Sequence, residues 1–242
     1  MFIEKDEYFE LQEFEDFGIR AIYTTKKLGD VRNKEDRENI IKVLNIENKK
    51  IYSGFQTHSS NVEVIEENTD IYLNDVDGFI TQRKDIVIFT KYADCLPIYI
   101  YDKKNEVFGC VHSGWQGTFK GIIIKAINLM QKRFKSKLEN IKIAFGIGIS
   151  YEKYEVSLEF YEKFQKNFKE EVLNNTFFFE EGKYYFDNQK LNYNLLLELG
   201  IKKENIITND LCTYVGPFHS YRRDKEGSGR NGAYIFVDKT RK

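Results

Sequence analysis

Apolar and polar positions along the chain follow two rhythms, and each marks a different kind of element. β-Rich runs with short apolar alternation occur at 17–25 (FGIRAIYTT), 50–58 (KIYSGFQTH), 61–67 (NVEVIEE), 86–94 (IVIFTKYAD), 141–148 (IKIAFGIG) and 233–238 (AYIFVD). All of these are predicted strands, with 17–25 as the first. Three- and four-residue spacing appears instead at 34–46, where Ile40, Ile41, Val43 and Leu44 mark an apolar side. It is clearest at 117–134, where Phe119, Ile122, Ile123, Ala126, Ile127, Met130 and Phe134 recur on one face. One unbroken helix is predicted there, packed on a sheet. SLEFYEKFQKNF (157–168) is a further amphipathic helix, TFFFEEGKYYFD (176–187) a hairpin turning at Glu181 and Gly182, and LNYNLLLELG (191–200) a helix ended by Gly200. Strands and helices are mixed without a strict βαβ rhythm, which favours an α+β fold with a mixed sheet over a doubly wound one. No repeat or linker divides residues 1–242, so a single domain is expected.

The stretch ADCLPIYIYDKKNEVFGCVHSGWQGT (93–118) stands out from this pattern. Two adjacent strands, IYIYD and EVFGCVH, are separated by the turn residues KKN, and SGWQGT then leads into the long helix. Cys95 would lie at the mouth of one strand and His112 at the exit of its neighbour, beside a helix N-terminus. The stretch also holds two of the three cysteines, one of the three histidines and the only tryptophan. Functional chemistry is expected there first.

Bulk composition excludes several classes. Lys plus Arg number 37 against 38 Asp plus Glu, so no global charge recommends nucleic acid or an anionic membrane as partner. The first residues are acidic, without a basic segment before an apolar run, and no stretch approaches ~20 apolar residues. A soluble, cytoplasmic protein is expected. Three dispersed cysteines argue against a disulfide framework and a zinc ribbon, and 20 Phe with 16 Tyr point to a sheet-rich interior.

The titratable and ligating residues need sorting. Cys110 and His112 share a strand face, and either could be the inward group; a buried cysteine commonly acts as a small hydrophobe, which is the plain reading of Cys110 and Cys212. Cys95 follows Asp94 at a loop edge, where functional residues concentrate, and His58 lies in the polar corner QTHSSN. A His, Cys, His set from three segments would suit zinc, although spacing alone supports a joint site only weakly. Asp94 and Glu155 are the candidate proton carriers. Arg222, Arg223 and Arg230, set among glycines in SYRRDKEGSGRNG, could bind phosphate in forked geometry or be a solvated loop. Gly146 and Gly148 lack the complete dinucleotide spacing, so that cofactor is discarded.

In order along the chain, QTH (56–58), DG (77–78), ADC (93–95), HSGWQGT (112–118), YEV (154–156), and DLCT, SYRRD and GR between 210 and 230 resemble one family. Its members were first described as multicopper polyphenol oxidases, or laccase-like proteins, and later as zinc-dependent purine nucleoside phosphorylases with adenosine deaminase activity. The resemblance implies a mixed β-sandwich flanked by helices in α/β/β/α layers, and zinc held by His58, Cys95 and His112. It further implies phosphorolysis of adenosine, inosine, guanosine and methylthioadenosine to free base and ribose 1-phosphate, with deamination of adenosine beside it. The chain departs from the family at Gln116, where arginine is common, at Thr25–Lys26, where an arginine and a glycine-rich loop are usual, and at His219, usually aromatic. Gln116 is therefore a weakened phosphate contact by this reading, with Lys26 offering at most a point charge in place of a fork. Copper is not expected: three histidines cannot supply the imidazoles that coupled copper centres require. The competing functions are a cysteine hydrolase or deamidase using Cys95 and His112, and a non-catalytic zinc-binding protein.

Overall fold

Strands Leu96–Asp102 and Val107–Ser113 pair antiparallel, with His112 opposite Pro97 and Ser113 opposite Leu96. This is the predicted strand pair, and both strands are buried along their whole length. The computed structural model describes residues 1–238. Among these, the pair lies in a six-stranded sheet in the order Ile206–Ile207, Ile141–Phe145, Leu96–Asp102, Val107–Ser113, Gly78–Thr81, Val62–Val64. A seven-stranded sheet runs Phe2–Glu4, Tyr8–Leu11, Ile19–Thr24, Asn231–Val237, Ile86–Tyr92, Lys50–Phe55, Tyr72–Asn74.

The two sheets face each other over one core. Tyr23, Ile88 and Ile235 from the first meet Tyr99, Phe108 and Cys110 from the second. The Tyr99 hydroxyl donates to the Ile22 carbonyl at 2.8 Å, satisfying a buried phenol across the interface. Helix Ile122–Phe134 covers the outer face of the six-stranded sheet together with helix Asn188–Leu199, and helix Lys34–Leu44 covers the outer face of the other. Ile122, Ile123, Ile127 and Met130 are fully buried. Each such side chain contributes about 1.5–3 kcal/mol, so the apolar stripe rather than helix propensity holds this helix in place. The layers are helix, sheet, sheet, helix, an α+β fold as the pattern predicts, with the mixed sandwich that the family resemblance implies. A small third sheet, Glu155–Val156, Lys183–Phe186 and Phe177–Glu180, packs with Phe160 and Phe164 at one end. Its hairpin turns where predicted, with positive φ at Glu181 and Gly182.

Three expectations are corrected. Ile19–Thr24 is not the first strand, because Phe2–Glu4 and Tyr8–Leu11 precede it. Those segments look too acidic to be buried, but Glu10 is neutralised inside the protein by Arg20, whose Nε and Nη2 donate to it at 2.6 and 3.1 Å. The helix predicted over 117–134 is broken: Trp115–Phe119 forms a short helix, Gly121 takes φ 72°, and Ile122–Phe134 starts afresh. The glycine admits a left-handed turn that apolar spacing does not reveal. The C-terminal loop contains one helical turn, Tyr221–Asp224, capped by Ser220. No helix among the described residues is long and apolar enough to cross a membrane.

Candidate metal centre and its cavity

Topology brings three distant segments to one end of the sandwich. Lys50–Phe55 and Ile86–Tyr92 are parallel neighbours, so the chain leaves both at the same edge. His58 follows the first and Cys95 the second, at the point where the chain crosses to the other sheet. Val107–Ser113 runs antiparallel to Leu96–Asp102 and ends beside its start, which delivers His112. The Gln56 side chain ties the edges together: its amide N–H donates to the Lys91 carbonyl and its oxygen accepts the Lys91 N–H, each at 2.9 Å. His58 and Asp94 both have positive φ, 60° and 83°, an uncommon conformation held here by the surrounding bonds.

One ligating atom from each of His58, Cys95 and His112 lies within 4.8 Å of the others. His58 Nε2 is 3.6 Å from Cys95 Sγ, and the imidazole rings stand edge-on at 4.8 Å. Behind them sits Asp77, fully buried. Its Oδ1 accepts from His112 Nδ1 at 2.7 Å and from the His58 N–H at 3.1 Å. Its Oδ2 accepts from the N–H groups of Thr57 and Ser59 and from the Ser59 hydroxyl at 2.7 Å. One carboxylate thus orients one imidazole and folds the loop that carries the other. It also turns His112 Nε2 toward Cys95, the arrangement by which carboxylates set histidine ligands.

Charge follows the geometry. Burial opposes ionisation of Asp77, but the His112 ring and the Ser59 bonds outweigh it and hold its pKa at about 2. Burial would likewise raise the Cys95 thiol, yet the charge on His112 and hydrogen bonds from both imidazoles bring it to about 6. Burial would lower His112, but the Cys95 thiolate and Asp77 lift it to about 9. A thiolate and two imidazoles therefore converge where positive charge is favoured, and this donor set fits a zinc ion. Gly114 sits against the set: a Cβ there would come within 2.8 Å of His58 Cδ2 and 2.9 Å of Cys95 Sγ. Gly114→Ala is expected to weaken metal retention by about tenfold, the scale on which altered ligand orientation acts. Chelator competition measures this, and undiminished retention would show that the loops give way.

The donors open into a cavity of about 980 Å³. Of the candidate proton carriers and arginines, Asp94, Arg222 and Arg230 line it. Both oxygens of Asp94 are engaged, accepting from the Thr213 hydroxyl and the Arg222 N–H at 2.6 Å each. The Arg222 guanidinium lies over the Tyr154 ring at 5.2 Å and donates to the Glu155 carbonyl.

The remaining candidates lie elsewhere. Glu155 is outside the cavity and pairs with Lys183 at 2.9 Å, because alternation along its short strand turns it away from the side that Tyr154 lines. Arg223 does not line the cavity; it pairs with Asp224 and donates to the carbonyls of Thr213, Tyr214 and Phe218, stapling the loop. Gln116 is half-buried on the helix flank and also stays out of the wall. Lys26 pairs with Asp224 at 3.1 Å. Cys110 is core, beside Thr90 and Tyr92, and burial pushes its thiol up to about 11. Cys212, which lines the cavity, accepts the Ser150 N–H.

Sequence reasoning missed Asp77, although its DG motif was visible, because a carboxylate before a strand gives no sign of its burial. It also missed the cavity cations Arg32 and Lys91 and the wall residues Trp115, Tyr154 and Asn188. Trp115, the single tryptophan in the organising stretch, and Tyr154, in the YEV motif, carried a signal; Arg32, Lys91 and Asn188 did not.

Comparison with known proteins bears on this arrangement. The family described as "Multi-copper polyphenol oxidoreductase laccase" matches residues 25–238. A protein named purine nucleoside phosphorylase from Borreliella burgdorferi is 35% identical, over 93% of this chain and 94% of its own. Adenosine deaminase RL5, from an unknown prokaryotic organism, is 31% identical over 75% of this chain and 72% of its own. The crystal structure of the hypothetical protein YfiH from Bacillus licheniformis superposes with a TM-score of 0.88 at 23% identity, covering 98% of both chains, a likeness of fold. With the match spanning nearly the whole sequence, the chain belongs to the multi-copper polyphenol oxidoreductase laccase family.

Proposed function

We propose that the chain, acting as a single domain over residues 1–242, is a zinc-dependent purine nucleoside phosphorylase that also deaminates adenosine in the cytoplasm. The observation that carries this reading is the His58, Cys95, His112 set opening into a cavity with aromatic and cationic walls, in a chain whose relatives are named for those two activities. The family description mentions copper, but with three histidines in the whole chain the donors suit a single zinc and not a coupled copper centre.

His58, Cys95 and His112 would hold zinc in the cavity wall, where it would supply a Lewis acid. Trp115 and Tyr154 line the cavity and offer aromatic rings to a purine, while the amides of Asn188, Gln189 and Asn209 brace the wall, bonded to Ser113, Thr118, the Asn209 backbone and the carbonyls of Phe145 and Gly146. The cationic side chains hold phosphate with one oxygen directed at C1′. That oxygen bonds to C1′ as the glycosidic C–N bond breaks; the electron pair leaves with the base, which takes up a proton. In deamination, water replaces the 6-amino group and ammonia departs. Asp94 lines the cavity and Glu155 does not, so proton transfer falls to Asp94.

Adenosine incubated with the zinc-loaded protein is expected to give inosine without phosphate, and adenine plus ribose 1-phosphate when phosphate is added. Formation of neither product refutes the assignment. The hydrogen bonds of Cys95 with His112 and His58, and the thiol pKa of about 6, favour a second reading as a cysteine hydrolase or deamidase with His112 as the base. Amide hydrolysis by metal-free protein, abolished on alkylating Cys95, would select it.

A further inference from the structure

Part of the cavity wall carries positive charge that the chain does not neutralise. Lys91 is half-buried in that wall, its backbone pinned by Gln56 and its ammonium over the Tyr72 ring at 5.9 Å. Neither Lys91 nor Arg230 lies within ion-pair distance of a carboxylate among the described residues. Arg230 is held by neutral groups, its Nη1 donating to the carbonyls of Ser228 and Gly229 at 3.1 and 2.9 Å.

Arg32 shares that scaffold. Its Nη2 donates to the Ser228 carbonyl at 2.8 Å and to Asp30 at 2.6 Å, while the Arg230 N–H donates to the same Asp30. Arg37, behind them, donates to the carbonyls of Val31 and Arg32. Against these four cations stand Asp30, paired with Arg32, and Asp36, which caps the Asp30 N–H and the Asn33 amide. Positive charge is in excess, and burial together with the charges of Arg37 and Arg230 lowers the Lys91 pKa. A partly buried ammonium facing like charges is stabilised by an anion at the same place.

We propose that Lys91, Arg32 and Arg230 form the subsite that holds inorganic phosphate in this chain, an inference that rests on the phosphorolytic reading above. Lys91 and Arg32 lie outside the motifs by which the chain resembles its family, and Gln116 and Lys26, the two positions where cationic contacts are lost, do not reach the cavity. The Asp30 carboxylate fixes the Arg32 fork, Ser228 aligns both guanidinium groups, and Lys91 adds a point charge from strand Ile86–Tyr92, opposite Gly232.

Titration calorimetry of the zinc-loaded protein with inorganic phosphate tests this without turnover. Lys91→Met is expected to weaken phosphate binding by about 10- to 100-fold, the effect of removing one charge-assisted contact, with zinc content unchanged. Lys91→Arg, which keeps the charge, should stay within about threefold. Arg32→Ala, on the exposed side of the subsite, gives an independent loss if Lys91→Met fails to fold. Phosphate binding within about twofold of the parent in both Lys91→Met and Arg32→Ala overturns the proposal, as does a parent protein that binds no phosphate. A parent that binds phosphate through Lys91 but cleaves no nucleoside refutes the activity and leaves the subsite standing.

Discussion

Cys95→Ser is expected to strip the metal from the protein. Of the three donors, Cys95 is the one that carries negative charge at neutral pH, since the two imidazoles beside it bring its thiol to about 6. A serine hydroxyl in the same place stays protonated and is a poor zinc ligand, leaving two imidazoles to hold the ion. Elemental analysis after gel filtration should fall from one equivalent to a small fraction of one. Cys110→Ser is the control: that thiol points into the sandwich core against Thr90 and Tyr92, so metal content should not change. A full equivalent of zinc in Cys95→Ser, with loss in Cys110→Ser, would move the metal to Cys110 and overturn this assignment.

Asp77→Asn should have the second largest effect although no ligand is removed. The carboxylate only accepts: His112 Nδ1 and the His58 N–H on one oxygen, the Thr57 and Ser59 groups on the other. An amide must turn its NH₂ toward one of these sets of donors, and a buried donor–donor contact results. Hydrogen bonds to a charged acceptor are worth about 1.5–3 kcal/mol each, so a stability loss of about 3 kcal/mol is expected in chemical denaturation. Zinc affinity should fall about 10- to 100-fold as the His112 ring loses its orientation and the loop carrying His58 loosens. Parent-like denaturation and chelator resistance would show that Asp77 is an incidental partner.

Most of the regular structure is legible because local physics determines it. The stripe from Ile122 to Met130, the alternation of the strand pair around Cys110 and the turn at Glu181–Gly182 are each specified by neighbours a few residues away. Where the reading fails, a distant partner decides. Tyr8–Leu11 is a strand because Glu10 finds Arg20, and the long helix breaks at Gly121 because the chain must turn off the strand end before it can lie on the sheet.

The candidate site divides in the same way. Loop-edge position and residue type singled out Cys95, His58 and His112, and the family resemblance joined them, but their convergence depends on sheet topology. Parallel pairing of Lys50–Phe55 with Ile86–Tyr92, and the crossing between sheets at Ala93–Cys95, are relations between segments far apart in the chain. Glu155 and Arg223 carry suitable chemistry, yet a strand face and a set of nearby carbonyls turn them to structural work. Lys91 and Arg32 show no motif, and become an anion site only because the fold gathers them with Arg230 away from enough carboxylates to balance them. The sequence by itself determined most of the elements, the α+β class and the pool of ligands, since periodicity and residue chemistry act locally. Which ligands meet, which carboxylate orients them and which cations remain unpaired was decided by tertiary structure alone, because burial and charge balance are properties of groups brought together from separate strands.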